Sequence, residues 1–319
     1  MAAYLELYHN GKLRERVDAA LSLLESCSVC PRRCDVNRLA GEVGKCRTPR
    51  EAIVSSYGPH FGEEAPLVGR HGSGTIFFTN CNLRCLFCQN YSISQLGEGQ
   101  KASKEELAYM MLSLQAKGCH NINLVSPTHV VPQILVALEL AVEAGLHLPL
   151  VYNSGGYDLV ETLRLLDGII DIYMPDMKYD DEETARELSG IENYPEINRA
   201  AVKEMYRQTG DLEIDEEGVA QRGVLVRHLV LPRGLAGTKG IVNFLSKEIS
   251  RNTYVNIMAQ YRPCYKALEI PSLGRRISSA EFREALSLAQ EAGLTRLDKI
   301  HPVEILHPDK SGPGVVGTA

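Results

Sequence analysis

The chain has 319 residues, 44% hydrophobic and 23% charged, which suits one large folded domain with a small appendage. It contains 34 Lys and Arg against 40 Asp and Glu, so its formal net charge is −6. Nucleic-acid-binding proteins usually present a basic face, and we therefore expect no nucleic-acid partner.

The N-terminal sequence MAAYLELYHNGKLRERVD carries charges within its first residues and lacks the apolar segment of a signal peptide. No run approaches the 18 apolar residues of a transmembrane helix, so we expect a cytosolic protein that does not enter a membrane. The cytosol keeps thiols reduced. Nine cysteines in that compartment therefore indicate metal binding rather than disulfide bonds.

The first group of cysteines has the spacing C-x2-C-x3-C-x11-C and comprises Cys27, Cys30, Cys34 and Cys46. Four thiolates can hold a tetrahedral zinc ion or a complete 4Fe–4S cluster. The spacing differs from the C-x2-C-x2-C-x3-C of bacterial ferredoxins, and reduced thiols packed in a hydrophobic knot are the alternative. We predict that residues 1–72 form this cysteine-rich segment and a linker. The linker 55–74 contains His60, Glu63, Glu64 and His71, and we expect it to cross the mouth of the next domain. We expect these side chains to be solvated, and a place in the site is the alternative.

From residue 73 onward, short apolar runs alternate with helical segments. The predicted strands are Thr75–Thr79, Ile122–Val125, Leu148–Tyr152, Ile169–Met174, Val224–Leu231 and Thr253–Ala259. Continuous apolar runs of this length are typical of strands buried on both faces. The alternation predicts an α/β fold with a parallel sheet, either open and doubly wound or closed as a barrel. No G-x-G-x-x-G follows the first strand, which argues against a dinucleotide-binding sheet.

Helix boundaries can be read from capping residues. Ser103 with Glu106 and Ser278 with Glu281 have the spacing of capping boxes. Further helices are predicted from Pro132 to Gly145 and from Tyr157 to Asp167. The polar stretch 211–222 interrupts the alternation and is predicted to be a hairpin or a loop. Residues 301–319 are predicted to be a disordered tail that follows the domain at 73–300.

The second group of cysteines, Cys81, Cys85 and Cys88, follows the first predicted strand with the spacing C-x3-C-x2-C. Thiolates are soft ligands that suit iron–sulfur clusters or zinc. A 4Fe–4S cluster normally takes four cysteines, one for each iron. Three cysteines would leave one iron free to bind a small molecule. A zinc knuckle is the alternative for this loop.

The sequence GTIFFTNCNLRCLFCQNYSIS at 74–94 resembles the radical S-adenosylmethionine (SAM) superfamily, whose C-x3-C-x-aromatic-C loop has Phe87 at the aromatic position here. It is similar to the branch of pyruvate formate-lyase activating enzymes and to the activating-enzyme-like group within it. The resemblance spans residues 73–300 and implies a partial (β/α)6 barrel preceded by the small cysteine-rich segment. It also implies that SAM binds the open iron and that an electron from the cluster cleaves SAM to a 5′-deoxyadenosyl radical.

The same resemblance implies cofactor-binding residues at the ends of the second, third and fourth predicted strands. They are Ser126, Thr128, His129, Asn153, Ser154, Asp176 and Lys178. At the second strand the family's Gly-Gly-Glu segment is missing and no carboxylate replaces it. The third strand end resembles a Thr-Asn-Gly turn, and the fourth resembles an Asp-x-Lys motif. The structural alternatives are a helix N-cap, ordinary turn residues and an ion pair, respectively.

We therefore predict a radical SAM enzyme that abstracts a hydrogen atom from its substrate, with a protein or peptide glycine as one candidate. The resemblance implies a flavodoxin-type or ferredoxin-type electron donor. At the fifth strand, alternation should turn either Arg227 or His228 toward the site. The alternative from another class is a non-catalytic iron–sulfur electron-transfer protein or a zinc-stabilised binding protein.

Overall fold

Six parallel strands form the centre of the molecule in the computed structural model, which describes residues 2–298. The strands are β1 Ala52–His60, β2 Ser73–Phe78, β3 Gln100–Ala102, β4 Ile122–Val125, β5 Leu150–Ser154, β6 Ile172–Pro175, β7 Glu213–Ile214, β8 Ala220–Leu229 and β9 Tyr254–Met258. Their order is β3-β1-β2-β4-β5-β6-β8, with β7 and β9 both paired to β8. All pairs from β2 through β9 are parallel except β7 with β8. This confirms the predicted α/β fold of a partial (β/α)6 barrel.

The helices lie between these strands and before them. They are α1 Tyr4–His9, α2 Lys12–Ser22, α3 Ala65–Val68, α4 Lys104–Ala116, α5 Val131–Glu143, α6 Val160–Leu165, α7 Glu182–Ser189, α8 Tyr194–Thr209, α9 Thr238–Phe244 and α10 Ser279–Glu291. None of them, within residues 2–298, is long and apolar enough to cross a bilayer. The predicted hairpin is confirmed, since Glu213 of β7 pairs with Arg222 of β8. The predicted tail 301–319 lies outside the described residues.

Both predicted capping boxes are present, at α4 and at α10. At α10, Ser278 Oγ accepts from the Glu281 backbone N–H at 3.2 Å, and a Glu281 carboxylate oxygen accepts from the Ser278 N–H at 2.7 Å. These bonds satisfy two of the four N–H groups that begin a helix without a partner. The sequence therefore located the starts of these helices correctly.

Replacing Ser278 with alanine should lower the free energy of unfolding by about 1 kcal/mol, because one end of the capping box is lost. Urea denaturation monitored by circular dichroism measures this change. Ser287→Ala is the matched control, since Ser287 is exposed in the middle of the same helix, where alanine is favourable. A loss as large in the control as in Ser278→Ala would contradict the role of the cap.

Side chains alternate between two layers along the parallel strands, as expected for a sheet buried on both faces. Outward residues such as Leu150, Tyr152 and Tyr173 pack in the large core under the helices. Inward residues form a second, smaller apolar cluster inside the barrel. It contains Leu67, Val151, Ile172, Met174, Leu212, Ala220 and Leu225. The polar side chains nearer the carboxyl ends of the strands lie above this apolar layer.

The linker between β1 and β2 closes the amino-terminal end of the barrel. Leu67 of α3 packs in the inner apolar cluster, and its carbonyl accepts from Asn121 Nδ2 at 2.9 Å, just before β4 begins. The Arg70 N–H donates to His120 Nε2 at 3.1 Å in the same region. The expectation that the linker crosses the mouth as a solvated loop was therefore wrong. Leu67 of α3 is instead buried in the inner apolar cluster at the amino-terminal end of the barrel.

The N-terminal helices pack against the outside of the barrel and share its core. The Ala3 N–H donates to Asp171 Oδ1 at 2.8 Å, and the Tyr4 hydroxyl donates to the Leu148 carbonyl at 2.8 Å. Leu13 and Val17 of α2 lie in the same core cluster as the strands. The N-terminal segment is thus packed along the barrel wall. Its cysteines lie at the carboxyl end of the barrel, where the second cysteine group also lies.

Candidate active site

The three-cysteine loop begins where β2 ends, at the carboxyl end of the barrel, and its backbone is fixed from two sides. The Arg84 and Leu86 N–H groups donate to the carbonyls of Ser189 and Leu188 at 2.9 and 2.8 Å, at the end of α7. The Leu86 carbonyl accepts from the Lys266 N–H at 2.9 Å. This anchoring holds the cysteines at the end of the barrel where active sites of such folds lie.

Each sulfur of this loop has a hydrogen-bonding neighbour. The Leu83 N–H donates to Cys81 Sγ at 3.4 Å, and Ser189 Oγ lies 3.0 Å from Cys85 Sγ. Cys88 Sγ lies 3.0 Å from the hydroxyl of Ser94. Hydrogen bonds to sulfur stabilise thiolates and tune the metal centres that they hold. The donor set is therefore that of a metal-binding loop.

The donor set fits a cluster better than a single ion. In the described range 2–298, no three His, Cys, Asp or Glu side chains are placed to hold one metal ion together. A 4Fe–4S cluster makes no such demand, because each iron takes its own thiolate. Burial raises the pKa of Cys81 to about 12 and also raises that of Cys85. The charge of bound iron would offset this cost and favour the thiolates.

A buried ionic network lies beside the loop, across the ends of β5, β6 and β8. Asp176 is bridged by Lys178 Nζ at 2.6 Å on one oxygen and by Arg227 Nε at 2.9 Å on the other. Arg227 also donates to Asn153 Oδ1 at 2.7 Å. Burial alone would raise the pKa of Asp176, but the charges of Arg227 and Lys178 bring it below its usual value. The same pairing raises the pKa of Lys178 against the effect of burial, so both groups are ionised.

Arg227 and His228 are adjacent on β8, so their side chains point to opposite faces of the strand. Arg227 points into the barrel, where its side chain is 18% exposed. His228 points outward: Nδ1 lies 2.7 Å from the Met177 carbonyl and Nε2 lies 2.9 Å from Thr238 Oγ1. Burial lowers the pKa of His228. Arg227 is therefore the residue of the pair that lines the barrel interior, and His228 packs under α9.

The hydroxyls of Thr128 and Ser154 both donate hydrogen bonds to Asp158, a residue that the sequence did not identify as part of the site. Asp158 accepts hydrogen bonds from Thr128 Oγ1 at 2.6 Å, Tyr152 Oη at 2.9 Å and Ser154 Oγ at 2.7 Å. Burial raises the pKa of Asp158, while these donors oppose the rise. Both hydroxyls are thus engaged in fixing the turn after β5 to the end of β4.

Ser126 and His129 lie at the end of β4, close to the start of the cysteine loop. The Ser126 N–H donates to the Asn153 carbonyl at 2.8 Å, and Ser126 has a positive φ of 59°. His129 Nε2 lies 3.0 Å from the Thr79 carbonyl, so Nε2 carries the proton and Nδ1 is an acceptor. Burial lowers the pKa of His129 to about 4, which keeps the ring neutral. The Nδ1 atom is buried and has no hydrogen-bond partner among residues 2–298.

Comparison with known proteins identifies the family. Residues 75–211 match the family model of the radical SAM superfamily. The chain is 35% identical over 302 residues to the uncharacterized protein MJ0674 of Methanocaldococcus jannaschii, covering 91% of this chain and 82% of that protein. The chain belongs to the radical SAM superfamily. Members of this superfamily are enzymes that use a 4Fe–4S cluster and SAM.

Two solved radical SAM structures are similar to this chain at low sequence identity, each with a TM-score of 0.49. A radical SAM methyltransferase from Sphaerobacter thermophilus is 15% identical, with 69% of this chain and 64% of that chain covered. HydG, a maturase of the FeFe-hydrogenase, is 14% identical, with 70% and 51% covered. The chain therefore spans less than two thirds of the length of either protein.

The four N-terminal cysteines gather next to the radical SAM loop. Burial, together with the nearby thiols of Cys46, Cys27 and Cys34, raises the pKa of Cys30 to about 12. The Lys45 N–H donates to Cys34 Sγ at 3.3 Å. These contacts bring the four thiols together, with Cys27, Cys30 and Cys46 buried and Cys34 partly exposed, and the arrangement is compatible with a second cluster rather than with a single metal ion.

Arginines connect this N-terminal group to the radical SAM loop. Arg32 Nε donates to the Asn82 carbonyl at 3.0 Å, and Arg47 donates to Asn80 Oδ1 at 3.3 Å. Arg84 donates in the opposite direction, to the Lys45 carbonyl. Arg32 and Arg47 of the N-terminal segment are thus engaged in contacts within the chain.

Several site residues were not found from the sequence. Glu64 is 7% exposed and the Glu63 side chain is 9% exposed, although both were expected on a solvated loop. Glu64 accepts from Asn256 Nδ2 at 3.1 Å inside the barrel. The burial of this pair follows from the path of the linker, which no local pattern reveals. Asp158 carried a weak signal, as a lone carboxylate shortly after a predicted strand.

Proposed function

We propose that Cys81, Cys85 and Cys88 hold the 4Fe–4S cluster of this radical SAM enzyme, and that the enzyme abstracts a hydrogen atom from its substrate. When bound, the cluster supplies the electron that cleaves SAM to methionine and a 5′-deoxyadenosyl radical. The supporting observation is the arrangement of three thiols, each beside a hydrogen-bonding group, at the barrel end that also carries the ionic network.

We assign SAM binding to the side of the network that faces the cysteines. Lys178 is close enough to Cys85 for its charge to affect the pKa of that thiol, and it is held by Asp176. An ammonium group at this position suits the carboxylate of SAM, and the Asp176 carboxylate suits ribose hydroxyls. Asn153 is fixed by Arg227 beside them. The ion pair thus orients both groups before the ligand arrives.

The other predicted cofactor-binding residues divide into two roles. Thr128 and Ser154 act through Asp158, which they hold in place between β4 and β5. Ser126 and the free Nδ1 acceptor of His129 lie at the end of β4 and can receive polar groups of SAM. These residues stand where the resemblance to activating enzymes implies contacts to the amino group of SAM.

The substrate class follows from the resemblance to activating enzymes, and we retain a protein or peptide glycine as the candidate. A flavodoxin-type or ferredoxin-type protein would supply the electron. Of the two predicted occupants of Cys27, Cys30, Cys34 and Cys46, zinc and a second iron–sulfur cluster, we favour the cluster, because no three of these side chains are placed around one ion within residues 2–298. The contacts of Arg32 and Arg47 support a centre that communicates with the loop. A cytosolic location would keep all of these thiols reduced.

Anaerobic reconstitution tests this proposal. The protein is loaded with iron and sulfide, reduced with dithionite and mixed with SAM, and 5′-deoxyadenosine is measured by chromatography. Production of 5′-deoxyadenosine that depends on both the reductant and the cluster is expected. A fully loaded protein that neither binds SAM nor yields 5′-deoxyadenosine would instead favour a non-catalytic role.

Replacing Asp176 with asparagine should weaken SAM binding about 10-fold to 100-fold, because Asp176 orients Lys178 and offers the charged acceptor of the network. Isothermal titration of the anaerobic protein with SAM measures the change. Asp181→Asn is the control, since Asp181 is exposed at the N-cap of α7 and asparagine caps equally well. Equal affinities in the two variants would remove Asp176 from the SAM site.

A further inference from the structure

Asp158 lies in the turn after β5 and joins two strand ends that carry proposed SAM-binding residues. Its Oδ1 accepts from Thr128 Oγ1 at 2.6 Å, in the segment after β4, and its Oδ2 accepts from Ser154 Oγ at 2.7 Å, at the end of β5. Thr128 precedes His129 in the sequence, and Ser154 follows Asn153. The carboxylate therefore fixes the backbone next to both of these residues.

The turn 154–158 also contacts the cysteine loop. The Tyr157 carbonyl accepts from Asn82 Nδ2 at 2.7 Å, and Asn82 is the residue after Cys81. A β-carbon on Gly155 would lie 2.5 Å from Leu83 Cδ1, so the backbone of the turn lies in close contact with the Leu83 side chain. The turn is therefore packed directly against the part of the loop between its first two cysteines.

The same turn contacts the backbone that carries Asp176. Gly156 has a φ of 71°, and a β-carbon at this position would collide with the Asp176 carbonyl oxygen, a backbone atom that cannot rotate away. Asn198 Nδ2 donates to the Gly156 carbonyl at 2.9 Å and to the Asp176 carbonyl at 3.0 Å. The turn 154–158 thus lies between the cysteine loop and the ionic network and touches both.

The carboxylate of Asp158 is itself buried, since the residue is only 2% exposed. Its third described partner is Tyr152 Oη, which donates to Oδ1 at 2.9 Å from a ring that packs in the outer core. Three hydroxyl donors on one carboxylate fix its orientation, because each occupies a defined acceptor position. Asp158 therefore acts from behind the site, on the side of the strands that faces the helices.

We propose that Asp158 is a positioning residue for SAM binding. Through the turn 154–158 it sets the distance between the cysteine loop and the pair formed by Asp176 and Lys178. This inference rests on the proposed function, in which SAM contacts both the loop and the pair. The other anchors of the loop are the backbone groups of 188, 189 and 266, which do not involve Asp158. A change at Asp158 should therefore weaken SAM binding more than it affects cluster assembly.

Asp158→Asn tests the inference in the full chain, reconstituted anaerobically with iron and sulfide. Its amide nitrogen cannot accept a hydrogen bond, so at least one of the three hydroxyls loses its acceptor while the side-chain size is kept. The Kd for SAM should rise about tenfold or more in isothermal titration. The electron paramagnetic resonance spectrum of the reduced cluster should respond to SAM only at correspondingly higher concentration. Asp181→Asn, an exposed change of the same kind, should leave both readouts unchanged.

A purely structural role would give a different result. It would lower the melting temperature of Asp158→Asn without changing the Kd for SAM, and this outcome would overturn the inference. A variant that folds but takes up less iron and sulfide than the wild type would place the effect on the cluster, and would overturn it as well.

Thr128→Val and Thr128→Ser provide a second test that does not require Asp158→Asn to fold. Valine removes the hydroxyl at nearly constant size, and serine keeps it. The Kd for SAM should rise about fivefold or more in the valine variant and stay within about twofold of the wild type in the serine variant. Equal affinities in the two variants would contradict a role for the hydrogen bond to Asp158.

The outcomes separate this inference from the proposed function. Failure of the reconstituted wild-type protein to cleave SAM counts against the proposed function. A wild-type protein that cleaves SAM, together with an Asp158→Asn variant that binds SAM equally tightly, overturns the positioning role alone.

Discussion

Cys85→Ala should reduce reductive SAM cleavage to background, since it removes one of the three thiolates proposed to hold the cluster. Cys85 is the most enclosed of the three, with Ser189 Oγ at 3.0 Å from its sulfur and the backbone of Leu86 anchored beside it. No other described cysteine lies on the same anchored loop apart from Cys81 and Cys88. The measurement is 5′-deoxyadenosine formed by the reduced, reconstituted protein, together with its iron and sulfide content.

Cys119→Ala is the matched control for this experiment. Cys119 is a core thiol, 2% exposed, that lies just before β4 at the opposite end of the barrel. Its replacement should cost about 1 kcal/mol of stability and leave SAM cleavage largely intact. Similar far-ultraviolet circular dichroism of both variants would exclude unfolding as the cause of the loss. Equal activity in the two variants would contradict the assignment of the cluster to this loop.

Arg227→Met should destabilise the protein by about 3–5 kcal/mol near pH 8, because it removes one partner of a buried ionic network. Asp176 would keep only Lys178, while Glu63 and Glu64 would each lose the guanidinium that lies 3.9 Å away. Burial already raises the pKa of Glu63 to about 7, above its unfolded value near 4.3. A carboxyl group of this kind favours the folded state at low pH and loses that contribution as the pH rises through the folded value.

The deficit of Arg227→Met relative to the wild type should therefore shrink between about pH 8 and pH 6, as protonation removes the uncompensated charge. Urea denaturation of both proteins at the two pH values measures this. Arg14→Met is the control, because its ion pair with Glu139 is largely solvated, with Arg14 64% exposed, and should contribute little to stability. A deficit that is equal at both pH values would show that Arg227 acts through packing rather than charge.

The parts of the fold that depend on local sequence were predictable. The six parallel strands followed from short apolar runs, and the capping boxes at Ser103 and Ser278 marked two helix starts, since both signals depend on residues a few positions apart. The antiparallel strands β1 and β3 were missed, and most of β1 was assigned to the linker. The helices α7 and α8 and the N-terminal helices were not predicted. The helices α7 and α8 carry few apolar residues overall, so their amphipathic periodicity is harder to distinguish from a polar loop in the sequence.

The residues of the candidate site could be predicted from the sequence only where a strand ends in a distinctive motif. Cys85 and Asp176 lie at the ends of predicted strands, and the parallel sheet brings such ends together. The choice between Arg227 and His228 needed the register of β8, because a shift of one residue exchanges the two faces. Glu64 could not be placed at all, since the path of a linker across a barrel depends on contacts distant in the sequence.

The packing of the N-terminal segment along the barrel wall has a consequence for the order of folding. Ala3 and Tyr4 hydrogen-bond to Asp171 and Leu148, so these contacts can form only after the chain has been synthesised 168 and 144 residues further on. Until then the thiols of 27–46 stay accessible to oxidants and to competing metals. Refolding in air should therefore trap a fraction of the chains with mispaired cysteines.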